Sequence, residues 1–416
     1  MFPPLPYTGV MEMLALLVSV AITGFAAGLL FTRRLTGSMR EPIGALVDQV
    51  NRMSQLDFAA GTPIRSAAAD ITELARAVET MRLALAPIAR FVPRRPVEAL
   101  RDAGHVLQPG GETREATILF ADLDDVSGLA GKLSPHELML RVSGYLQEVS
   151  QAVTDHRGIV DKYVGDAVMA LWNAPSDTPD HVALACRAAL VARSNLAASA
   201  IPGAGQGRLP IALRVGLHTD RVTAGILGTS EHLSYTALGG GVNIAARLES
   251  INKGYGTAIC VSQAVRDQVR DRFLMRPLDV VAVKGQQEAI GIYELIGFLP
   301  DTVGGEMDPV VVPELVATPL QMMKARLTEQ AFMRWRAGDM AAAGRAYGKL
   351  ARTFPGDRVA ELYIKRCAIA SSTMRHADID SEDVDDSEDV DDSEDVDSGR
   401  VPADENSQRE ILARRG

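Results

Sequence analysis

The most constraining feature of the sequence is an apolar run at residues 13–31, MLALLVSVAITGFAAGLLF, which contains no charged side chain. A helix of this length spans roughly the hydrocarbon layer of a bilayer, at about 1.5 Å per residue. Arg33 and Arg34 follow it directly, whereas residues 1–12 carry no basic side chain. The positive-inside bias therefore predicts a transmembrane helix at 13–32, with the N-terminus outside and all later residues in the cytoplasm.

A cleaved signal peptide is the alternative for this run, but the basic segment that opens such peptides is missing here. An uncleaved helix predicts a single-pass protein of the cell inner membrane whose lipid contact is that one helix. The three cysteines lack the spacing of a disulfide framework or of a zinc site, which fits a reducing compartment.

Residues 33–88 follow the apolar run and predict two amphipathic helices. The first covers 40–53 and the second 71–85, each with apolar residues at helical spacing. A helix pair directly after a membrane span resembles a HAMP linker, the parallel four-helix dimer module of bacterial receptors. Pro42 and Glu73 stand where that family usually has such residues. A generic coiled-coil stalk is the alternative, and both interpretations predict a dimer.

The charge of the chain is concentrated at one end. The net charge is −10, yet residues 378–405 carry 15 acidic side chains against Arg400 alone, so the rest of the chain is close to neutral. This balance argues against a nucleic-acid partner. Residues 381–398 are a near-perfect repeat of the hexapeptide SEDVDD, with Ser398 in place of the last aspartate, and we expect disorder throughout 373–416. A calcium loop is disfavoured because the glycine and the spacing of an EF-hand are missing.

Between the basic joint at 89–111 and a linker at 299–315, predicted strands alternate with helices, which indicates an α+β or α/β sandwich. Strands are predicted near 116–121, 158–163, 167–172, 210–218, 222–227, 234–238, 257–261, 279–284 and 291–296, with helices near 127–153, 180–199, 241–252 and 262–270. Residues 316–372 are predicted to be helical and resemble one tetratricopeptide-type hairpin, through Trp335, Gly338, Ala342, Tyr347 and Pro355. We expect this segment to pack on the preceding domain, and it is also a candidate surface for a protein partner.

Two aspartates stand at the edges of predicted neighbouring strands. Asp122 ends the apolar run in ILFADLDDVSG, and Asp166 follows Gly165 in DKYVGDAVMALW. Two close carboxylates repel each other unless a divalent cation lies between them, and hard oxygen ligands suit Mg²⁺ or Mn²⁺. Such a site would serve phosphoryl chemistry. The alternative is a pair of unrelated turn aspartates.

A glycine-rich turn and a helix in YTALGGGVNIAARLES add polar side chains suited to a nucleotide. Asn243 and Arg247 are four residues apart and share one helix face. Arg247 can neutralise charge on a transferring phosphate, and Asn243 can orient a ribose. Lys284 follows a predicted strand and suits a polyphosphate. Each residue alone could belong to an ordinary salt bridge or surface contact.

Taken in order, these segments resemble the catalytic domain of a class III nucleotidyl cyclase over residues 112–298. The matching motifs are ATILFADLDDVSG, GIVDKYVGDAVMALWNAP, RVGLHTDRVTAG and YTALGGGVNIAARLE. The resemblance implies a ferredoxin-like α+β fold, a βαββαβ sandwich. It also implies that Asp122, Asp166 and the backbone carbonyl of Leu123 bind two Mg²⁺ or Mn²⁺ ions in each active site.

The same resemblance assigns the remaining site residues. Lys162 and Thr236 occupy the base-selecting positions, where a lysine binds N1 of adenine and a threonine suits its amino group. Asn243 and Arg247 are the transition-state pair, and Lys284 is a substrate-binding residue. The implied reaction converts ATP to cyclic AMP and pyrophosphate at the interface of a homodimer.

The sequence departs from this family next to the first metal position. Asp125 and Val126 stand where Gly and Phe are usual, and Asp124 adds a second acidic side chain. A degenerate cyclase-fold protein that binds a nucleotide or a partner without turnover is therefore the alternative function. Guanylate cyclase activity is disfavoured by Lys162. The glycine box of a histidine kinase and the GG[D/E]EF signature of a diguanylate cyclase are absent from the sequence.

Overall fold

The computed structural model describes the larger part of the chain. The described residues are 7–66, 68–89, 97, 108–123, 128, 131, 133–198, 213–229, 232–282, 289–302 and 313–382.

A single long helix, α1 (Tyr7–Ser54), contains both the apolar run and the first predicted stalk helix. Its segment Met11–Leu29 is long and apolar enough to cross a membrane, with a mean hydropathy of 1.9, and none of it is buried. The prediction of a separate helix beginning near residue 40 is wrong, because α1 continues through Pro42. An interior proline removes one backbone hydrogen bond but does not by itself end a helix.

The second helix of the stalk, α2 (Ala69–Ile88), packs against the later part of α1. Their shared core is formed by Leu46, Met53, Ile71 and Val78. Near the end of α2, the Arg82 guanidinium donates to the carbonyl of Phe58 at 2.8 Å. Phe58 lies just beyond the end of α1, so the C-terminal ends of the two helices are together and the helices run in the same direction.

The central domain is an eight-stranded mixed sheet. Its strands are β1 (Gly110–Leu123), β2 (Ile159–Val164), β3 (Ala167–Trp172), β4 (Leu213–Gly228), β5 (Leu233–Leu238), β6 (Ile259–Ser262), β7 (Phe273–Val281) and β8 (Ile290–Phe298). The strand order is β2-β3-β1-β4-β6-β8-β7, with β5 paired to β4. The β4–β6 pair is parallel and the other pairs are antiparallel.

Four helices cover the two faces of this sheet: α3 (Pro135–Asp155), α4 (His181–Ala198), α5 (Gly240–Tyr255) and α6 (Gln263–Val269). Alternation along β1 sends Leu119 into the core under α3 and α4, whereas its neighbour Ile118 enters a separate core beneath α5. The segments β1–α3–β2–β3–α4–β4 therefore follow the predicted βαββαβ order, with β1 in the centre.

Two predicted boundaries in this domain are wrong. The strands predicted at 210–218 and 222–227 form one strand, β4, whose pairing with β1 continues through Asp220 and Arg221. Both residues retain the amides that a ladder needs. The helix predicted at 127–153 is interrupted: Gly128 is helical, residues 133 and 134 are not, and α3 begins at Pro135, where Ser134 and Glu137 form a capping box.

The C-terminal helices are α7 (Pro319–Arg336), α8 (Met340–Thr353) and α9 (Arg358–Glu382). They pack on the central domain, as predicted, through a core that includes Leu248 of α5, Leu278 of β7 and Tyr347 of α8. At this contact the Arg276 guanidinium pairs with the buried carboxylate of Asp357 at 2.7 Å. Helix α9 extends about ten residues beyond the predicted start of the acidic tail at 373, in a stretch free of glycine and proline.

Candidate active site

Two carboxylates meet at one edge of the sheet. Asp122 lies at the end of β1, and Asp166 occupies the two-residue turn that joins β2 to β3. Gly165, with φ of +66°, supplies the left-handed conformation that this tight turn requires. Burial, followed by the charges of Asp166 and Glu249, raises the pKa of Asp122 to about 6. The β1–β3 register brings the two predicted metal ligands to the same end of neighbouring strands.

An arginine lies on the other side of Asp122. Arg214 opens β4 and is the register partner of Asp122 across the β1–β4 ladder. Its guanidinium donates to Asp122 Oδ2 at 2.8 Å and to Glu249 Oε1 at 2.7 Å. The charge of Arg214 opposes the rise in the pKa of Asp122 without cancelling it. Arg214 therefore links the carboxylate pair to α5, which carries Glu249.

The donor set fits a divalent cation. Asp122 Oδ1 is buried and has no hydrogen-bond partner among the residues that the structure describes. An orphaned carboxylate oxygen beside a second carboxylate is costly unless a cation binds there. The described ranges hold no group of three or more His, Cys, Asp and Glu side chains that could hold a metal. A Mg²⁺ ion held by the two carboxylates would keep other coordination positions for the Leu123 carbonyl, for water and for substrate oxygens. Oxygen ligands of this kind are those that Mg²⁺ prefers.

The two predicted base-selecting residues are in direct contact. Lys162 Nζ, on β2, donates to Thr236 Oγ1, on β5, at 3.0 Å. Thr236 in turn donates its only hydroxyl hydrogen to Asp161 Oδ2 at 2.6 Å. Asp161 is buried, and burial raises its pKa, whereas Thr236 and Lys162 act in the opposite direction. The Thr236 oxygen is therefore left with acceptor capacity only.

The predicted transition-state pair faces away from the carboxylates. Asn243 and Arg247 are both exposed on α5. At about 100° per residue, Arg247 lies on the opposite side of α5 from Glu249, which is tied to Asp122 through Arg214. In the described part of the chain, no hydrogen bond or ion pair joins Asn243 or Arg247 to either aspartate. A single chain therefore presents two separate sets of site residues.

The other predicted residues have different outcomes. Leu123 directly follows Asp122 and ends β1. Lys284 lies outside the described residues, as do Asp124 and Asp125, so their predicted roles stay predictions.

Sequence reasoning missed Asp161, Arg214 and Glu249. All three lie inside motifs that were already of interest: Asp161 in DKYVGD, Arg214 in RVGLHTDRVTAG and Glu249 in ARLES. A signal was available for each, since a charged residue within a largely apolar segment needs a partner when it is buried. The identity of each partner depended on strand register.

The central domain is similar to that of known proteins. A family described as "Adenylate and Guanylate cyclase catalytic domain" matches residues 110–297. "Adenylate cyclase 1" of Rhizobium meliloti (strain 1021) is 34% identical over 284 residues, which cover 68% of this chain and 42% of that protein. "Adenylate cyclase" of Anabaena cylindrica is 28% identical over 293 residues, covering 66% of this chain and 58% of that protein.

Among solved structures, the crystal structure of the adenylyl cyclase CyaB from P. aeruginosa shares 26% sequence identity, with a TM-score of 0.42. It covers 45% of this chain, and the match spans 96% of that chain. The present chain spans about half the length of the curated relatives named above. The family match and the relatives together identify residues 110–297 as an adenylate and guanylate cyclase catalytic domain.

Proposed function

We propose that this chain is a membrane-anchored adenylate cyclase that converts ATP to 3′,5′-cyclic AMP and pyrophosphate in second-messenger signalling. The observation that carries the proposal is the position of Asp122 and Asp166 at the same end of neighbouring strands, where burial, together with the charge of Asp166, raises the pKa of Asp122 to about 6. In a domain of this family, a carboxylate pair that needs a cation suits nucleotide chemistry at phosphorus. The name of the Rhizobium meliloti relative, adenylate cyclase, supports the same activity.

The reaction forms a bond between the ribose 3′-oxygen and the α-phosphorus and breaks the bond to the β-phosphate oxygen. Two Mg²⁺ or Mn²⁺ ions, held by Asp122, Asp166 and the Leu123 carbonyl, would favour the deprotonated 3′-hydroxyl and bind phosphate oxygens. Arg247 stabilises the negative charge that develops on the α-phosphate, and Asn243 orients the ribose. Lys284 binds the triphosphate.

Adenine recognition follows from the Lys162–Thr236 contact. The Lys162 ammonium can donate only, and adenine N1 is an acceptor, whereas guanine N1 carries a hydrogen. Because Thr236 gives its hydrogen to Asp161, its oxygen offers an acceptor to the adenine amino group. Guanine presents a carbonyl oxygen at that position, which needs a donor. Both contacts favour ATP over GTP.

A homodimer would complete the site. The carboxylates and the Asn243–Arg247 face point in different directions within one chain, so each set needs its complement from a second copy. Exposed apolar side chains beside these residues supply a surface for such pairing. They include Tyr163, Val164, Leu227, Leu233 and Leu238.

The N-terminal part of the chain supports membrane attachment and dimerisation. In our proposal, the apolar segment of α1 crosses the inner membrane once, and the parallel α1–α2 pair acts as a HAMP-like dimeric stalk. The catalytic domain would then be cytoplasmic. A shift of the stalk helices would change how the two half-sites meet, which is a route for regulation.

The test measures cyclic nucleotide formed by the full chain in detergent or lipid nanodiscs. We expect cyclic AMP from ATP with Mg²⁺ or Mn²⁺, and much less cyclic GMP from GTP. Asp166→Asn removes one carboxylate charge with almost no change in volume, and we expect it to abolish product. The matched control is Asp177→Asn, which changes an exposed aspartate paired with Arg114.

Three results would contradict the proposal or a part of it. No cyclic nucleotide from either substrate, in protein with an intact circular dichroism spectrum, would favour a binding protein without turnover. Substantial activity in Asp166→Asn would contradict the assignment of Asp166 as a metal ligand. A higher rate with GTP than with ATP would leave the enzyme class intact but overturn the base assignment.

A further inference from the structure

A groove runs between the two helices of the C-terminal hairpin, on a surface separate from the candidate active site. It has a volume of about 350 Å³. Leu327, Ala342 and Ala346 form its partly buried apolar floor. The remaining lining residues are Gln330, Arg334, Arg345 and Lys349. All four are exposed, so an apolar floor lies beneath a polar and cationic rim.

The rim is strongly basic. Residues 319–353 carry seven lysines and arginines against two acidic residues, Glu329 and Asp339. Asp339 is already engaged as the N-cap of α8. Within the described residues, no ion pair involves Arg334, Arg345 or Lys349, although Lys324 at the foot of the hairpin pairs with Asp357. The groove therefore has three cationic side chains that are available to an acidic ligand.

The placement of two of these cations is unfavourable without such a ligand. Arg345 and Lys349 are four residues apart on α8 and lie on the same helix face. Like charges at this spacing repel each other and destabilise a helix. An anion bound between them would remove the repulsion.

We propose that the acidic hexapeptide repeat of the same chain binds this groove. Each repeat contains one valine with acidic residues on both sides, at Val384, Val390 and Val396. The valine matches the apolar floor, and the flanking carboxylates match the cationic rim. The groove spans about seven residues of each helix, roughly 10 Å, which accommodates about three extended residues, that is, one valine and its two acidic neighbours.

The repeat can reach the groove by following α9 back towards the hairpin. Gly344 of α8 lies against Cys367 of α9, so the end of α9 at Glu382 is about 22 Å beyond the groove. An extended chain covers that distance in about seven to ten residues. Residue 389 is the seventh beyond Glu382, so the second copy from that point on and the whole third copy, at 393–398, have sufficient length. Such a short tether gives an effective concentration on the order of millimolar.

The test uses the full chain and a fluorescent peptide of sequence SEDVDDSEDVDD. A neutral-tail variant, with every Asp and Glu at 383–397 changed to Asn or Gln, leaves the groove without its own occupant. We expect this variant to bind the peptide about tenfold or more tightly than the native chain does, because the native tail competes. Fluorescence anisotropy measures both affinities, and added salt should weaken them.

The groove itself is tested in the neutral-tail background. R345E/K349E should lower peptide affinity about tenfold or more, because two attractions become repulsions. The matched control, R326E/R336E, makes the same charge change on α7 at two exposed positions that do not line the groove. Equal loss of affinity in both double variants would overturn the proposal, because general charge would then explain binding. So would equal affinity in the native and neutral-tail chains.

Cross-linking in the unaltered chain gives a measurement that does not depend on variants. A carbodiimide should join Lys349 to carboxylates of the second or third repeat, as detected by mass spectrometry. Mixed dimers of isotopically labelled and unlabelled chains distinguish the source of the tail. Cross-links that occur only between chains would overturn the intrachain assignment in favour of a tail from a second copy. Absence of any such cross-link would overturn the proposal itself.

Discussion

At the scale of single residues, a buried carboxylate organises the predicted base pocket. Asp161 has a fully buried side chain, lies 3.6 Å from Lys162 Nζ and accepts the Thr236 hydroxyl. A buried carboxylate is tolerated when it is paired and hydrogen-bonded, and here both requirements are met by residues of the pocket. In the proposed function Asp161 would therefore act as a positioning residue, since it accepts the Thr236 hydroxyl and lies beside Lys162.

The Thr236 hydroxyl can be tested with an isosteric change. Thr236→Val removes the acceptor for the adenine amino group and the hydrogen bond to Asp161. We expect kcat/KM with ATP to fall about tenfold to a hundredfold, as for a lost hydrogen bond to a charged group. The ratio of kcat/KM with ATP to that with GTP should fall as well, and steady-state kinetics with both nucleotides measure it.

Thr219→Val provides the control for this substitution. Thr219 is buried in the same sheet, accepts from Thr117 and donates to the Ala116 carbonyl, with no contact to Lys162. It should leave the ratio of the two nucleotides unchanged even if it lowers stability. An equal change of the ratio in both variants would show that general destabilisation, not base recognition, explains the effect.

At the scale of elements, α5 connects the candidate active site to the C-terminal helices. Its exposed face carries Asn243 and Arg247, while Ile244, Leu248 and Tyr255 are buried in the core shared with α7, α8 and α9. Tyr255 also donates to Asp279 at 2.5 Å, and Arg366 of α9 pairs with the same carboxylate. The C-terminal helices are thus packed against the helix that carries the predicted transition-state pair.

The contact depends on Asp357, whose buried carboxylate pairs with Arg276 and Lys324. We expect Asp357→Asn to lower the free energy of unfolding at pH 7 by about 3 kcal/mol, because Arg276 would lose its buried partner and keep only the partly buried Glu294. Chemical denaturation of the detergent-solubilised protein measures the change. Asp177→Asn, which alters an exposed ion pair, should change it by about 1 kcal/mol or less.

The difference in the free energy of unfolding between the native protein and Asp357→Asn should depend on pH through the pKa of Asp357. Burial alone would raise that pKa, but Arg276, Lys324 and the Ala360 amide together lower it below the ordinary value. Because the pKa of Asp357 is lower in the folded state than its value of about 3.9 in the unfolded state, the ionised carboxylate stabilises the folded protein above about pH 4. This stabilisation is lost as the pH falls from there through the pKa of the folded state. The difference between native and Asp357→Asn proteins should therefore shrink below about pH 4. A constant difference down to pH 3 would contradict the ion-pair explanation.

At the scale of the whole molecule, the separation of the two residue sets predicts complementation between inactive variants. Asp166→Asn should inactivate the half-site that contains the carboxylates. Arg247→Ala should inactivate the half-site that contains Asn243 and Arg247. A mixed dimer of the two would contain one intact site and one doubly altered site. With random pairing, half of the dimers are mixed, so we expect about a quarter of native activity when the two variants are produced together.

Each variant produced alone is the control for this experiment, and both should be inactive. Cyclic AMP formation and the proportion of mixed dimers, from differently tagged chains, are measured in the same sample. Mixed dimers with no activity would show that the two residue sets do not meet across an interface of two copies.

Much of the fold could be predicted from the chain because neighbouring residues carry the signal. The alternation of apolar residues in β1, the apolar run of α1 and the glycine turn before Asp166 each depend on spacings of a few residues. Boundaries of helices and strands that depend on a helix cap or on the continuity of strand pairing were harder to predict. The capping box at Ser134 shortened one helix, and the β1–β4 register merged two predicted strands.

The sequence by itself determined which segments form helices and strands, where charge is concentrated, and which polar residues suit nucleotide chemistry. Only the tertiary structure decided how those residues meet. Strand register paired Arg214 with Asp122, which is 92 residues away, and the β2–β5 approach brought Thr236 to Asp161, 75 residues away. The rotation of α5 turned Arg247 away from the carboxylates of its own chain. Local patterns specify such contacts weakly, because register and helix rotation are fixed by packing of the whole domain rather than by neighbouring residues.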